Sequence, residues 1–202
     1  MNEIRTIIFD LGGVYFTDGA KQFIQKMHEI YGTSKEKVEE VIGGELGKQY
    51  RTAEITPEIF WHTAKEYWNL TVVTDELSKL WLDGYVPIEG TVNLTERLTK
   101  AGYEILFLSD NASDRVEYLE SQYKFLGKFK GGVFSHVVKA RKPHEKMYTA
   151  VLDIASSPAS QCVYIDDKPH LLEPAKILGM ATIPFQSPEQ VENALTGLGL
   201  KF

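Results

Sequence analysis

The stretch TIIFDLGGVYFTD, Thr6–Asp18, decides the fold. Its first four residues, Thr6–Phe9, are apolar or β-branched, too few for a helix, and stop abruptly on Asp10. A run of that kind reads as a short strand buried on both faces, as in a parallel sheet, opening into a polar loop. Two later runs repeat the pattern. Glu104–Leu108 ends on Ser109, Asp110 and Asn111, and Val163–Ile165 ends on Asp166 and Asp167. Gly132–Ser135 and Ala181–Pro184 are weaker candidates of the same kind.

Helices fill the intervals. Val92–Ala101 stops at Gly102, Glu173–Leu178 stops at Gly179, and Pro143 is placed to open a helix running toward Ile154. Strands alternating with helices predict an α/β fold, a Rossmann-like parallel sheet core with helices on both faces. Such sheets bind ligands beyond the carboxyl ends of their strands, where all three polar clusters fall. Residues 20–86 read differently. Lys21–Tyr31, Lys35–Gly43, Pro57–Trp68 and Asp75–Leu82 are helical, with Ser34, Thr56 and Thr74 in N-cap positions and no strand among them. The expected organisation is an α/β core from residues 1–19 and 87–202, with a small all-helical cap domain, residues 20–86, inserted after the first strand.

A chain of 202 residues can bury a substantial core. The net charge of −6 speaks against nucleic acid as a partner, since phosphate backbones require a basic face. A single cysteine, Cys162, excludes an intrachain disulfide and a thiolate-rich zinc site. The sequence has neither a signal-peptide pattern nor an apolar run long enough to span a membrane, so a cytoplasmic protein without a membrane partner is expected. Nothing in the sequence speaks to oligomeric state.

Four constellations carry chemistry. Asp10 places a carboxylate at a strand mouth, and Gly12–Gly13 let the backbone approach a ligand and turn amides toward an anion. Ser109 offers a hydroxyl, with Asp110 and Asn111 adding donors beside it. Lys142, just before Pro143, can hold a fixed positive charge beside a phosphate. Asp166 and Asp167 are oxygen ligands suited to Mg²⁺. Singly, each has an ordinary reading as turn, cap, solvated lysine or polar loop.

In this order the motifs FDLGG, LSD, RKP and IDD resemble the haloacid dehalogenase superfamily across the whole chain, with the helical insert where that superfamily carries its first-type cap. The wording FDLGGV and RKPHEKMY is similar to the branch containing glucose-1-phosphate phosphatases. The resemblance implies a Mg²⁺-dependent hydrolase of small phosphate esters acting on a phosphorylated metabolite, and the branch resemblance points to sugar phosphates. It implies that Asp10 attacks phosphorus and becomes an aspartyl phosphate. It implies that Asp10, the Gly12 carbonyl, Asp166 and Asp167 hold the metal, and that Ser109 and Lys142 hold the phosphoryl oxygens. Gly12, Gly13, Asp110 and Asn111 complete the expected substrate contacts.

Three positions depart from that pattern, one of them Asp110, which replaces the Asn that often follows the motif's Ser. The superfamily's phosphatases usually carry a second Asp two residues after the nucleophile, as general acid and base; here it is Gly12, with Asp18 and Asp110 as conceivable substitutes. The position four residues after the second acid, often Asn or Asp, is Leu171. Gly12 and Leu171 motivate an alternative: a catalytically impaired member of the fold that binds a phosphorylated ligand or partner without turnover. A dehalogenase using Asp10 against carbon is a third reading, disfavoured by the acid pair. Cys162 reads as a core residue, and Phe60, Trp61, Ala64 and Trp68, at helical spacing, as core of the cap.

Overall fold

The structure, a computed structural model, describes residues 3–202; Met1 and Asn2, the first residues of the expected core segment, lie outside the described residues. Five strands form one sheet: β1 (Thr6–Phe9), β2 (Glu104–Ser109), β3 (Gly131–Phe134), β4 (Cys162–Asp166) and β5 (Ala181–Pro184). Their order is β3-β2-β1-β4-β5 and every pairing is parallel. The α/β, Rossmann-like architecture is therefore as expected. β1 is central and wholly buried, which is why its sequence is an unbroken apolar run.

Side chains alternate across the sheet with period two. Ile7, Phe9, Ile105, Phe107, Val163 and Ile165 enter one apolar cluster. Ile8, Leu106, Leu108, Val133, Cys162 and Tyr164 enter the other. The first face is covered by α6 (Glu89–Lys100), α7 (Ser113–Tyr123) and α11 (Pro188–Gly197), which supply Leu94, Leu98, Val116, Leu119, Val191 and Leu195. The second is covered by α9 (Glu145–Ile154) and α10 (Glu173–Ile177), through Met147, Tyr148, Val151 and Ala175.

Five helices separate β1 from α6: α1 (Gly19–Tyr31), α2 (Lys35–Gly43), α3 (Glu45–Arg51), α4 (Pro57–Trp68) and α5 (Thr74–Leu82). Ser34 and Thr56 cap α2 and α4 through their side chains, whereas Thr74 begins α5 and Val73 stands at its cap without a side-chain bond. Phe60, Trp61, Ala64 and Trp68 are buried against Phe23 and Trp81, whose rings stack at 5.1 Å. The sequence pattern predicts no helix where α3 lies, a segment that begins after Gly43–Gly44 and contains Gly47. Gly44 and Gly47 serve close packing: a Cβ there would meet the Glu40 carbonyl oxygen at 2.2 Å and the Ile42 carbonyl oxygen at 2.1 Å. α8 (Ser135–Val138) is a single turn after β3.

The expected helix at Pro143 begins two residues later. Lys142–Pro143 is a cis peptide inside a turn closed by His144 N–H to the Arg141 carbonyl at 2.8 Å. His144 then caps α9, accepting from the Lys146 amide at 3.2 Å. The turn, not a helix start, carries Lys142.

Candidate active site

Register brings the site together. Phe9 pairs with Phe107 on one side and Ile165 on the other, so Asp10 emerges beside Leu108–Ser109 and Asp166 at one edge of the sheet. The Asp10 amide still bonds the Ile165 carbonyl at 2.9 Å, which fixes the direction of its side chain. Lys142 arrives from the turn before α9, its Nζ 2.9 Å from Asp10 Oδ1 and 2.7 Å from Asp166 Oδ2. All three side chains are buried.

The shared ammonium does not serve both acids equally. Asp166 is also bonded by the Tyr164 hydroxyl, and its Oδ1 accepts from the Lys168 amide at 2.9 Å. Burial pushes the Asp166 carboxyl up, but Lys142, Tyr164 and the Lys168 amide outweigh it and hold the group below its ordinary value. Asp10 lacks those extra donors. Burial pushes it up to about 7, with Lys142 pulling down and the neighbouring Asp166 charge pushing further up. Burial also works against the Lys142 charge, yet Asp10, Tyr164 and Asp166 hold the ammonium well above the ordinary lysine range.

Asp10, Asp166 and Asp167 each offer an oxygen within 4.8 Å of the others. Burial raises the Asp167 carboxyl, and its Oδ1 is buried without a hydrogen-bond partner, 3.9 Å from Lys168 Nζ. An under-compensated Asp10, an orphaned carboxylate oxygen and an all-oxygen donor set fit a hard divalent cation. The loop after β1 supports this arrangement. The Leu11 carbonyl accepts from the amides of Val14, Tyr15 and Phe16, and Gly13 N–H bonds the Phe16 carbonyl at 2.7 Å; none of these bonds uses the Gly12 carbonyl.

The two glycines therefore differ. Gly13 has φ +92°, and a Cβ there would meet the Asp167 carboxylate at 2.7 Å. Its amide is spent on the turn, so its expected role as an anion donor gives way to a conformational one. Gly13→Ala combines a left-handed backbone with a clash and is expected to cost about 2 kcal/mol or more of stability. It should also displace Asp167, and urea melts of the two proteins test the loss. Gly12 has no such need. A Cβ there would meet only Tyr85 Cε1, at an ordinary 3.5 Å.

Ser109 and Asn111 are buried at the same edge, and Asn111 Oδ1 has no partner. The Asn111 main chain is held by Ser135, whose hydroxyl accepts from its amide at 2.9 Å, and by His136 Nδ1, 2.7 Å from its carbonyl. Asp110 was expected to touch substrate, but its carboxylate accepts from Arg141 Nε at 3.1 Å and from the Lys142 amide at 3.0 Å. It anchors the Lys142 turn rather than offering a donor to a ligand. Asp18 caps α1, accepting from the Lys21 amide at 3.0 Å. Leu171 packs in the core and gives its carbonyl to Tyr148.

A cavity of ≈1090 Å³ opens over these groups, between the sheet edge and α1–α3, lined by Asp10, Gly12, Ser109, Asn111 and Lys142 among others. Sequence reasoning missed Tyr164, although it lies two residues before Asp166 and so on the same strand face. It also missed Arg51, Tyr85 and Arg115, which enter the cavity wall from three separate segments.

The parallel sheet thus delivers an acid from its central strand beside a lysine and an acid pair, at the edge where such sheets bind ligands. The profile described as haloacid dehalogenase-like hydrolase matches residues 7–185, and the chain belongs to that family. An uncharacterised protein of Dictyostelium discoideum is 31% identical over 148 residues, 70% of this chain; the chain spans 63% of that relative's length. Among solved structures, a HAD family enzyme of Bacteroides thetaiotaomicron in complex with magnesium aligns at TM-score 0.81 with 21% identity, covering 96% of this chain and 99% of that one. A form of the same enzyme holding magnesium and inorganic phosphate aligns at 0.77 with 21% identity, covering 91% and 94%. The L-2-haloacid dehalogenase of Xanthobacter autotrophicus aligns at 0.65 with 16% identity, covering 96% and 83%. Among the described residues no helix is long and apolar enough to cross a membrane.

Proposed function

We propose that this protein is a Mg²⁺-dependent hydrolase of small phosphate monoesters, with residues 20–86 acting as a cap domain over the core formed by residues 1–19 and 87–202. The observation that carries the reading is the convergence of Asp10, Lys142, Asp166 and Asp167 at one sheet edge, with Asp10 and Lys142 lining the cavity. Phosphate complexes of a structural relative support it.

In this reading an Asp10 oxygen forms a bond to phosphorus as the ester P–O bond breaks, and water then hydrolyses the aspartyl phosphate. Lys142, fixed by Asp166 and the Asp110-anchored turn, faces the phosphoryl oxygens together with the Ser109 hydroxyl. The free Asn111 Oδ1 accepts from a substrate hydroxyl. Asp10, the Gly12 carbonyl and Asp167 would hold Mg²⁺, with Asp166 beside them. The cation supplies Lewis acidity and screens the carboxylate from the incoming anion. The acid pair favours phosphorus over carbon as the target, so metal-free halide release from a 2-haloacid would overturn this choice.

Phosphate release from a panel of aryl and sugar esters, with Mg²⁺ and with chelator, tests the proposal. Metal-dependent release is the expected result. No release from any ester by folded protein would instead support binding without turnover. Gly12 leaves the leaving oxygen without the usual acid, a loss typically worth about 10²–10⁴-fold. Since the backbone at Gly12 admits a side chain, Gly12→Asp is expected to raise the rate on sugar phosphates about tenfold or more relative to aryl phosphates, whose leaving groups need less protonation. Equal changes in the two rates would refute this account of the position.

A further inference from the structure

Away from Asp10, the cavity wall carries two buried guanidiniums that have no carboxylate partner among the described residues. Arg51, at the end of α3, and Arg115, on α7, are 7% and 2% exposed and both line the cavity. Among the described residues neither forms an ion pair with a carboxylate. Arg51 Nη1 donates to the carbonyls of Ile42 at 2.5 Å and Gly47 at 3.2 Å. Arg115 Nη1 donates to the Tyr85 hydroxyl at 3.3 Å. Both guanidiniums face one indole, Arg115 Cζ 4.0 Å and Arg51 Cζ 5.6 Å from the Trp81 ring centroid. A third, Arg141, lines the same wall and is held by Asp110.

Such a grouping is costly. Cation–π contact with Trp81 offsets part of the desolvation, but like charges sharing a buried wall repel. The strain falls on Arg51, drawn down to about 9 by burial first and then by the charges of Arg141 and Arg115. Buried charges are ordinarily paired, and several donors of each fork remain for a ligand. Planar forks suit oxyanions, which they bind by two parallel hydrogen bonds.

We propose that Arg51 and Arg115, with Arg141 at their edge, form a subsite for an oxyanion carried by the substrate, making the substrate class a phosphate monoester that bears a second phosphate or a carboxylate. Tyr85 sets the distance between the two ends: its ring edge faces Gly12 and its hydroxyl accepts from Arg115. A short-chain ester can therefore place one anion at Asp10 and Lys142 and the other on the guanidiniums. Arg51 comes from the helical segment, and Arg115 and Arg141 from the α/β core, so the subsite is complete only with α3 seated over the sheet. The inference rests on the phosphate-ester reading of Asp10.

The test compares kcat/KM, with Mg²⁺, for glycerol 3-phosphate, 3-phosphoglycerate and a sugar bisphosphate. Wild type is expected to prefer an ester with a second anion at least tenfold, and the better of the two identifies carboxylate or phosphate. Arg115→Met keeps the contact with Trp81 and should cut that preference about tenfold or more, mainly through KM, the effect of a lost charge-assisted bond. Arg51→Lys, which retains charge but loses the fork, should reduce it in the same direction and guards against misfolding of either variant. No preference in wild type, or equal losses on all three esters, overturns the subsite. If no ester is hydrolysed, the phosphatase reading fails, and calorimetric binding of the same compounds to Mg²⁺-loaded protein decides the subsite alone. Tighter binding of the doubly anionic compounds, lost in Arg115→Met, upholds it; equal binding overturns it.

Discussion

Asp10→Asn is expected to lower phosphate release by about four orders of magnitude or more, the scale seen when a covalent nucleophile is removed. The same change should stabilise the metal-free protein at pH 8. The Asp10 carboxyl stands at about 7 in the folded protein against 3.8 as an ordinary Asp, chiefly because it is buried and partly because Asp166 is beside it. Its folded pKa is raised, so the folded state favours the protonated acid. That contribution to stability is present below about pH 4, declines as pH rises toward 7, and is absent above it. Asn carries no charge and suffers no such decline. The variant should therefore match wild type near pH 4 and exceed it at pH 8 by an amount on the order of a few kcal/mol, reduced by the lost Lys142 contact. Mg²⁺ should close the gap by stabilising wild type alone. Urea unfolding at the two pH values, with and without Mg²⁺, measures this; a variant less stable than wild type at pH 8 would show that Asp10 is not under-compensated.

Lys142→Met should act in the opposite direction. It removes the ammonium that pairs with both Asp10 and Asp166, themselves buried. Breaking a buried ion pair from one side costs about 3–5 kcal/mol, which for a chain of this size lowers Tm by roughly 10 °C. Lowering the pH to 5 should restore part of the loss by protonating Asp10, and Asp10→Asn in the same chain should restore more. The two substitutions are therefore expected to be strongly non-additive. Phosphate release should fall by about 10²–10³-fold with the loss of a charge facing the developing phosphoryl oxygens. A metal-free melting temperature at pH 8 equal to that of wild type would contradict the pairing.

The parts of the fold that were legible are those whose sequence answers to one local constraint. β1, β2 and β4 are buried on both faces, so their apolar runs are continuous and end where the chain meets the ligand edge. The candidate site residues at those ends, Asp10, Ser109, Asp166 and Asp167, stand out in the sequence for the same reason. α3 was hidden because glycine at positions 44 and 47 is demanded by backbone contact with α2, a tertiary requirement that mimics a breaker. α7 and α11 went unassigned, although Ser187 followed by Pro188 is a good start signal for α11. Gly13 and Asp110 were recognised as site positions but given ligand contacts, whereas their amide and carboxylate are committed within the protein. Arg51, Tyr85 and Arg115 share no motif; only the packing of α3 and α7 around Trp81 brings them to one wall.

The two oxygens of Asp110 hold neighbouring residues, one the Lys142 amide and the other the Arg141 guanidinium. A single carboxylate thus acts as a rigid gauge, spacing a charge at the nucleophile end against a charge at the far wall. Neither can shift to suit a longer molecule without dragging the other. In the proposed binding mode, tolerance for ligand length would be set by one acid that need not meet the ligand, and loosening it should broaden the range of molecules accepted.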